Sequence, residues 1–379
     1  MNDLINKRLS QLEYFFEKNG LESYDPYDGL NTPLRILLFR NKMLERIWQQ
    51  GIRLAPVNLR SLFGIKKQIH TKTVSDLLSA SSILYSKTKA EKYLSKADLY
   101  FKQLNSLSIK SRNGIGWGLN FYFTTRFVQA DKETPNLFQT MNALYALMDY
   151  YEINKNEKVK KVIKDGVSFI LKDSGYNETS DSLNWNYWKN LESPIYNVNA
   201  LMVGLLSRAS KIITIDNSVV LINKTLFFLK HGQNADGSWY YSADDKAKFI
   251  DGFHTGYILE GLSITKLNGV SIDEEMFSEG AEYYLKNLFQ KNKLPKYYNN
   301  SPYPIDGQNC AQALQTLFYL KKLNLTDEKF IDEVLLKVDK ALWNESGYYN
   351  YMKTNMQTYN TPMNRWVNAP MYLALSHNY

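Results

Sequence analysis

Apolar residues recur along the chain in helix-length blocks that alternate with more polar blocks rich in Lys and Glu. Five apolar blocks are hydrophobic nearly all the way round a helix and often begin at Pro, Asn, Asp or Thr, which predicts buried helices with capped starts. These predicted inner helices span residues 134–152, 196–212, 253–267, 306–323 and 364–377. The polar blocks predict outer helices at residues 159–172, 218–231, 274–290 and 327–343.

Short loops rich in Gly and aromatic residues recur between the blocks, and their markers are Trp117, Trp185, Trp239, Tyr298 and Tyr348. A repeat of several tens of residues is typical of proteins built from stacked helical hairpins. Upstream, residues 32–50, 74–85 and 89–104 supply candidates for a further inner helix and its partners. The pattern therefore predicts six hairpins.

Six inner helices predict an all-α fold, an (α/α)6 toroid or six-hairpin barrel, as a single domain. Residues 1–112 would form its N-terminal helical part, and residues 113–379 would form the repeated hairpins that complete it. The alternative is an open solenoid of hairpins, but such arrays need polar capping repeats at their ends. Neither terminus carries such a repeat, so the closed ring is preferred.

The aromatic content is high, since 28 Tyr, 18 Phe and seven Trp residues exceed what a helical core of this size needs. Tyr and Trp combine a flat apolar face with a polar group, which suits sugar rings, although a Tyr-rich core explains the content equally well. The formal charge of +8 favours an anionic partner such as a uronic-acid polymer. Lys and Arg are scattered rather than gathered in a dense run, so no nucleic-acid partner is expected.

Cys310 is the only cysteine, which excludes an intrachain disulfide and a thiolate metal cage. The four histidines show no metal-site spacing, and we expect neither a metal nor another cofactor. No apolar stretch is long enough to predict a membrane span. The N-terminus has no apolar signal core, so the expected location is cytoplasmic.

The predicted functional site lies where the inner helices begin, because parallel helices bring their starts and the preceding loops to one mouth. Helix N-termini favour anionic groups, and Arg126 or Arg365 could clamp a sugar carboxylate there. The candidate substrate-binding residues at this mouth are Trp117, Arg126, Asn136, Trp185, Tyr196, Asn199, Trp239, Tyr303, Gln308 and Trp366.

The sharpest candidate for chemistry is the segment Asp251-Gly-Phe-His254-Thr-Gly-Tyr257. His254 and Tyr257 are three residues apart and share one helical face, and His carries protons near neutral pH. His254 could instead brace the helix start. Asp251 and Asp306 each precede an inner helix, so they are either N-caps or an acid and base acting on a glycosidic bond.

The segment Gln233-Asn-Ala-Asp-Gly-Ser-Trp239 resembles the Gln-Trp repeat of triterpene cyclases and prenyltransferase subunits. In those proteins the Gln and Trp side chains brace adjacent hairpins, which implies a structural role here. The chain lacks the Asp-x-Asp-Asp motif of the cyclases and the zinc ligands of the prenyltransferases. Terpene chemistry is therefore not expected.

Several segments together resemble the six-hairpin proteins of bacterial exopolysaccharide and capsule loci, over residues 113–379. The matching pieces are Gly116-Trp117-Gly, Thr134-Pro-Asn136, Asp236-Gly-Ser-Trp239, Phe253-His254-Thr-Gly-Tyr257, Tyr303-Pro-Ile-Asp306 and Arg365-Trp366. The resemblance implies surface-glycan metabolism on a fold similar to uronyl C5-epimerases, polysaccharide lyases and unsaturated-uronyl hydrolases. After Asp306 the family usually has a polar residue, whereas this chain continues Gly307-Gln308, which leaves the role of Asp306 open.

The leading hypothesis is a lyase or C5-epimerase that removes the C5 proton of a uronic acid. His254, Tyr257 or Tyr196 would be the base, and Arg126 or Arg365 would neutralise the carboxylate. One alternative is a glycoside hydrolase that uses Asp251 and Asp306. The other is a non-catalytic glycan-binding or scaffold protein.

Overall fold

The chain is described here by a computed structural model, which covers residues 1–38, 40–125, 128–189, 191–192 and 194–379. In chain order its α-helices are α1 Asn2–Asn19, α2 Lys42–Leu54, α3 Thr71–Thr88, α4 Glu91–Ser106, α5 Leu137–Asn154, α6 Glu157–Phe169, α7 Tyr196–Ala209, α8 Ser218–His231, α9 Gly252–Leu267, α10 Glu274–Asn287, α11 Gly307–Lys322, α12 Glu328–Leu342 and α13 Ala369–His377. Short 3-10 helices span Asp28–Asn31, Pro33–Leu38 and Asp245–Ala247, and π-helical turns span Ile170–Ser174 and Asn364–Asn368.

Six helices form a closed inner ring. The helices α3, α5, α7, α9, α11 and α13 contact one another in that order, and α13 contacts α3 again. A solenoid would leave the first and last helices apart. The closure confirms the predicted all-α (α/α)6 toroid.

The outer ring is built from the helix that follows each inner helix, with one exception. The helices α4, α6, α8, α10 and α12 pack on α3, α5, α7, α9 and α11, whereas α13 is covered by α1 from the other end of the chain. The two ends of the chain thus build the sixth hairpin together. Of the candidate segment 32–50, residues 32–38 and 40–50 belong to neither ring, since they contain the 3-10 turn Pro33–Leu38 and the first part of α2.

The inner helices are buried nearly all round because each one packs between its two ring neighbours and its outer partner. At the α7–α9 contact, Gly204 and Gly261 face each other, and a Cβ added to Gly204 would lie 2.9 Å from the Gly261 carbonyl oxygen. Polar N-caps set the helix starts: Asn136 caps α5, Asp251 caps α9 and Asp306 caps α11. Capping by these side chains satisfies amide N–H groups that the helix itself leaves unpaired.

Short antiparallel strands lie in the loops between helices. Two-stranded pairs join Ile109–Lys110 with Ile115–Gly116, Phe123–Thr124 with Gln129–Ala130, Tyr176–Glu178 with Leu183–Trp185, and Trp343–Asn344 with Tyr348–Tyr349. A three-stranded sheet has the order Thr358–Tyr359, Met352–Lys353, Ile305–Asp306. In the part of the chain that the structure describes, none of the helices has the length and apolarity needed to cross a membrane.

Candidate functional site

A cavity of about 930 Å³ opens at the end of the toroid where the inner helices begin. Every inner helix contributes to its wall, either from its first turns or from the turn just before it. One representative from each of α3, α5, α7, α9, α11 and the turn before α13 is, in order, Lys72, Gln139, Asn197, His254, Gln308 and Trp366. The helix α2 and the loops between hairpins form the remaining wall.

Aromatic side chains make up much of this wall. Tyr241 and Phe249 lie with their rings nearly parallel, 5.0 Å apart between centroids. Flat apolar faces with a few polar groups between them are what a sugar ring requires of a binding site. The Phe, Tyr and Trp residues that line it are Tyr27, Phe121, Phe123, Phe138, Tyr187, Trp188, Tyr241, Phe249, Phe253, Tyr257, Tyr297, Tyr298 and Trp366.

His254 is held by Asp251 in a carboxylate–imidazole pair. One carboxylate oxygen of Asp251 accepts the backbone N–H of His254 at 2.8 Å, and the other lies 2.6 Å from His254 Nδ1. The Asp251 side chain is 1% exposed, whereas that of His254 keeps 20%. With Nδ1–H donating to the carboxylate, Nε2 is left with its lone pair for proton transfer. Asp251 therefore caps α9 and orients His254 at the same time.

Tyr257 lines the cavity one turn further along α9. Its hydroxyl accepts a hydrogen bond of 3.0 Å from Gln308 Nε2. Burial raises the pKa of Tyr257 well above its usual value. At neutral pH this hydroxyl keeps its proton, so Tyr257 is a hydrogen-bond donor and a weak candidate for the base.

Arg365 lies in the same cavity wall as His254, as expected if the inner helices run parallel. Its guanidinium is buried and forms a bidentate ion pair with Asp25, at 2.5 and 2.8 Å. Burial raises the pKa of Asp25, but Arg365, together with smaller contributions from His70 and the Tyr27 backbone N–H, holds that pKa below its usual value. The charge of Arg365 is thus already balanced, which weakens its predicted role as a clamp for a sugar carboxylate.

Arg53 is a cavity residue that sequence reasoning missed. Its Nε donates to the Tyr351 hydroxyl at 3.0 Å, and its guanidinium lies 4.7 Å from the centroid of the Tyr27 ring. No carboxylate among the described residues forms an ion pair with it. Lys72 also lines the cavity, but Asp76 holds its ammonium at 2.8 Å. Arg53 is therefore better placed than Arg365 to bind an anionic group.

Asp306 does not line the cavity itself but contacts a residue that does. It is fully buried, caps α11 through the Asn309 N–H at 3.0 Å, and accepts the indole N–H of Trp366 at 3.0 Å. Burial raises the pKa of Asp306 to about 6. The contacts make Asp306 a support for Trp366, which itself lines the cavity.

Three of the predicted substrate-binding residues lie in the core and not in the cavity wall. Trp117, Trp185 and Trp239 are at most 1% exposed. Trp117 and Trp239 donate their indole N–H groups to the backbone oxygens of Leu104 and Leu229, near the ends of outer helices. Their rings have no open face for a sugar, because the recurring loops fold inward to fasten the hairpins.

Four further predicted residues also lie outside the cavity wall, and one cannot be placed. Asn136 is used in capping α5, and Asn199 bonds to the loop and backbone at the start of α7. Tyr196 stacks on a ring of α8, and Tyr303 is 38% exposed on a surface loop. Arg126 lies outside the described residues.

Comparisons with known proteins give structural but not sequence relatives. No family model matches the chain, and no curated protein matches it. A cellobiose 2-epimerase from Bacillus thermoamylovorans is similar over 100% of both chains, with a TM-score of 0.64 and 14% identity. A polysaccharide lyase is similar over 99% of this chain and 96% of its own, with a TM-score of 0.62 and 9% identity.

A family 88 glycosyl hydrolase from Bacteroides vulgatus is also similar, over 81% of this chain and 90% of its own, with a TM-score of 0.58 and 10% identity. All three are carbohydrate-active enzymes. A fold of this kind hosts many different reactions, so at these identities the likeness establishes the architecture alone. The chain has the (α/α)6 toroid fold shared by these enzymes.

Proposed function

We propose that the chain is a polysaccharide lyase or C5-epimerase that removes the C5 proton of a uronic acid within a surface glycan. The observation that carries the proposal is the His254–Asp251 pair, which presents an oriented imidazole to a cavity lined with aromatic rings. A C–H bond next to a carboxylate is a weak acid. Removing its proton needs a positioned base and a cation that stabilises the enediolate as it forms.

His254 is the proposed base. Its Nε2 takes the C5 proton, and the buried Asp251 carboxylate stabilises the imidazolium that results. If a proton returns to the opposite face of C5, the product is the epimer. If the C4–O bond breaks instead, the electron pair leaves with the oxygen, and the products are an unsaturated uronyl end and a shortened chain.

Arg53 is the proposed partner of the sugar carboxylate, in place of Arg126 or Arg365. It lines the cavity and donates only to the Tyr351 hydroxyl among the side-chain partners described. A guanidinium forms two parallel hydrogen bonds with a carboxylate, which fixes orientation as well as charge. Tyr257, which keeps its proton because burial raises its pKa, is the proposed proton donor, either to the leaving oxygen in the lyase reaction or to C5 in the epimerase reaction.

Hydrolysis by Asp251 and Asp306 is less well supported by the contacts. Asp251 is engaged by two groups of His254, and Asp306 is behind Trp366. A hydrolase needs one carboxyl group within reach of the glycosidic oxygen and a second on the other side of the sugar. An epimerase and a lyase have similar structures, so this fold is compatible with removal of a proton from a sugar carbon.

The experiment is incubation of the protein with a panel of uronate oligosaccharides in deuterated water. Mass spectrometry follows deuterium at C5, and ultraviolet absorbance follows unsaturated ends. We expect one of the two signals, and we expect His254→Ala to reduce it by about 100-fold or more. His231→Ala is the matched control, since His231 is an exposed histidine on α8 and should leave the rate unchanged.

Three outcomes would contradict the proposal. New reducing ends without deuterium or unsaturation would indicate a hydrolase. Oligosaccharide binding without turnover, retained in His254→Ala, would indicate a binding protein. Equal turnover of neutral glycans whose carboxyl groups have been reduced would contradict the role given to Arg53. If Arg53 binds the carboxylate, Arg53→Met should raise KM for the uronate glycan and leave KM for the neutral glycan unchanged.

A further inference from the structure

Formal charge is distributed unevenly along the chain. Residues 33–67 contain eight Lys and Arg residues against the single acidic residue Glu45, a net +7 out of +8 for the whole chain. The basic residues of this segment do not form a dense run, because apolar and polar residues separate them. Those that are exposed are Arg40, Lys42, Arg46, Lys66 and Lys67.

The same segment exposes large aliphatic side chains. Single exposed apolar residues are common on protein surfaces, but a group of them in one short stretch marks an interaction site. Six side chains in this segment are between 58% and 80% exposed: Ile36, Leu37, Met43, Ile47, Val57 and Leu62.

The helix α2 explains how these apolar side chains come to face outward. Beside Ile52, its buried face carries two polar side chains: the Glu45 carboxylate pairs with Arg35 at 3.0 Å and accepts the Thr124 hydroxyl at 2.5 Å, and Gln49 is also buried. The residues Met43 and Ile47, four apart, therefore lie on the other face. The helix is thus anchored mainly by polar contacts and leaves Met43 and Ile47 exposed.

Buried hydrogen bonds and ion pairs hold the segment in place, so its exposed face is ordered before any partner binds. The Trp48 indole donates to the Gly29 backbone oxygen at 2.8 Å, and the buried Arg60 pairs with Asp28 at 2.6 Å. The 3-10 turn Pro33–Leu38 contacts α2 directly. A platform that is ordered before binding loses little conformational entropy when it binds.

We propose that the surface formed by residues 33–38 and 40–67 docks on an anionic lipid bilayer. Aliphatic side chains beside Lys and Arg are the composition of helices that lie in the membrane interface, where apolar groups enter the acyl boundary and cations meet lipid phosphates. A sugar polymer would call for aromatic faces, which these six side chains lack. A second copy of the chain is disfavoured because a two-fold interface would place this positive segment against itself.

Docking on a bilayer has a consequence for the cavity. Met43, Arg46 and Ile47 belong both to the exposed face of α2 and to the cavity wall. A bound protein would therefore hold its cavity mouth at the membrane surface, next to glycans that lipids carry. The docking does not depend on which reaction the cavity performs.

The test is co-sedimentation of the full chain with vesicles of phosphatidylcholine containing one third phosphatidylglycerol, compared with phosphatidylcholine alone. We expect binding to the anionic vesicles that weakens with salt, because exposed charges are screened. The double substitution Ile36→Ser with Leu37→Ser should weaken it by about tenfold or more. The matched control is Val219→Ser with Val220→Ser on α8, an adjacent exposed apolar pair that should leave binding unchanged.

A second pair of variants tests the charge. Arg40→Glu with Lys42→Glu should weaken binding to the anionic vesicles, whereas Lys161→Glu with Lys164→Glu on α6 should have a much smaller effect. Circular dichroism verifies that each variant is folded. No binding by the parent protein, equal binding by the patch and control variants, or a dimer in sedimentation velocity that only the patch substitutions dissolve would each overturn the proposal.

Discussion

The helical rings and the segment 33–67 differ in which side chains their helices bury. The rings bury apolar side chains, whereas the segment buries several polar ones and exposes several apolar ones. In the ring, α5 buries Leu144 and Leu147 completely, and its polar N-cap faces its own backbone. In the segment, α2 buries Glu45 and turns Ile47 to the outside. The periodicity of a helix tells which residues share a face, but the neighbours decide which face is buried. The exposed side chains of α2 are the observation on which the proposed bilayer docking rests.

The largest expected difference between the two regions concerns large apolar side chains. Trp239→Ala should lower the free energy of unfolding by about 3–5 kcal/mol, because it leaves a cavity against Gly280 and removes the bond to Leu229. Ile36→Ala should change it by about 0.5 kcal/mol at most, because the side chain is 80% exposed. Urea denaturation measures both. Similar losses of unfolding free energy in the two variants would mean that Ile36 packs against other residues of the chain.

A smaller effect is expected where the N-terminal turns before the segment are joined to the ring. Asp25→Asn leaves the buried Arg365 without its counter-charge and should cost about 3 kcal/mol in unfolding free energy. Asp131→Asn is the matched control, since its pair with Arg40 is exposed and 3.5 Å long, and should cost about 0.5 kcal/mol or less. Equal costs in thermal or urea unfolding would show that the buried pair does not fasten these turns.

The inner ring itself carries a carboxyl group whose protonation affects stability. Burial raises the pKa of Glu260 on α9 from 4.5 to about 7. Between these values the folded protein binds a proton that the unfolded chain releases, so stability falls as the pH rises through this window.

Glu260→Gln cannot titrate, so it should gain stability relative to the parent at pH 8 and not at pH 4, by about 3 kcal/mol at most. Melting temperatures of both proteins across this range measure the difference. Glu282→Gln, on the outer helix α10, is the control and should show no such trend. A stability difference between Glu260→Gln and the parent that does not change with pH would mean that solvent reaches the Glu260 carboxyl group and leaves its pKa near the usual value.

Local signals predicted the hairpins well. The apolar blocks predicted the starts of α7, α9 and α11 within a residue or two. At α9 and α11 the N-cap residues Asp251 and Asp306 mark the helix start in the sequence. His254 was found for a related reason, since Asp251, His254 and Tyr257 lie close together in sequence. The cavity residues Arg53 and Tyr241 were missed, because nothing in their own neighbourhoods points to a distant pocket.

The sequence by itself determined five of the six inner helices, their capped starts and the aromatic loops between them, since these depend on residues within one or two turns of each other. It left the first inner helix open among residues 32–50, 74–85 and 89–104, and the structure assigns it to α3. Only the tertiary structure decided that α1 closes the ring on α13, that Trp117 and Trp185 turn into the core, and that Arg53 reaches the cavity. These outcomes depend on which surfaces meet across hundreds of residues. Such meetings are set by shape and burial over the whole ring, which periodicity along the chain does not encode.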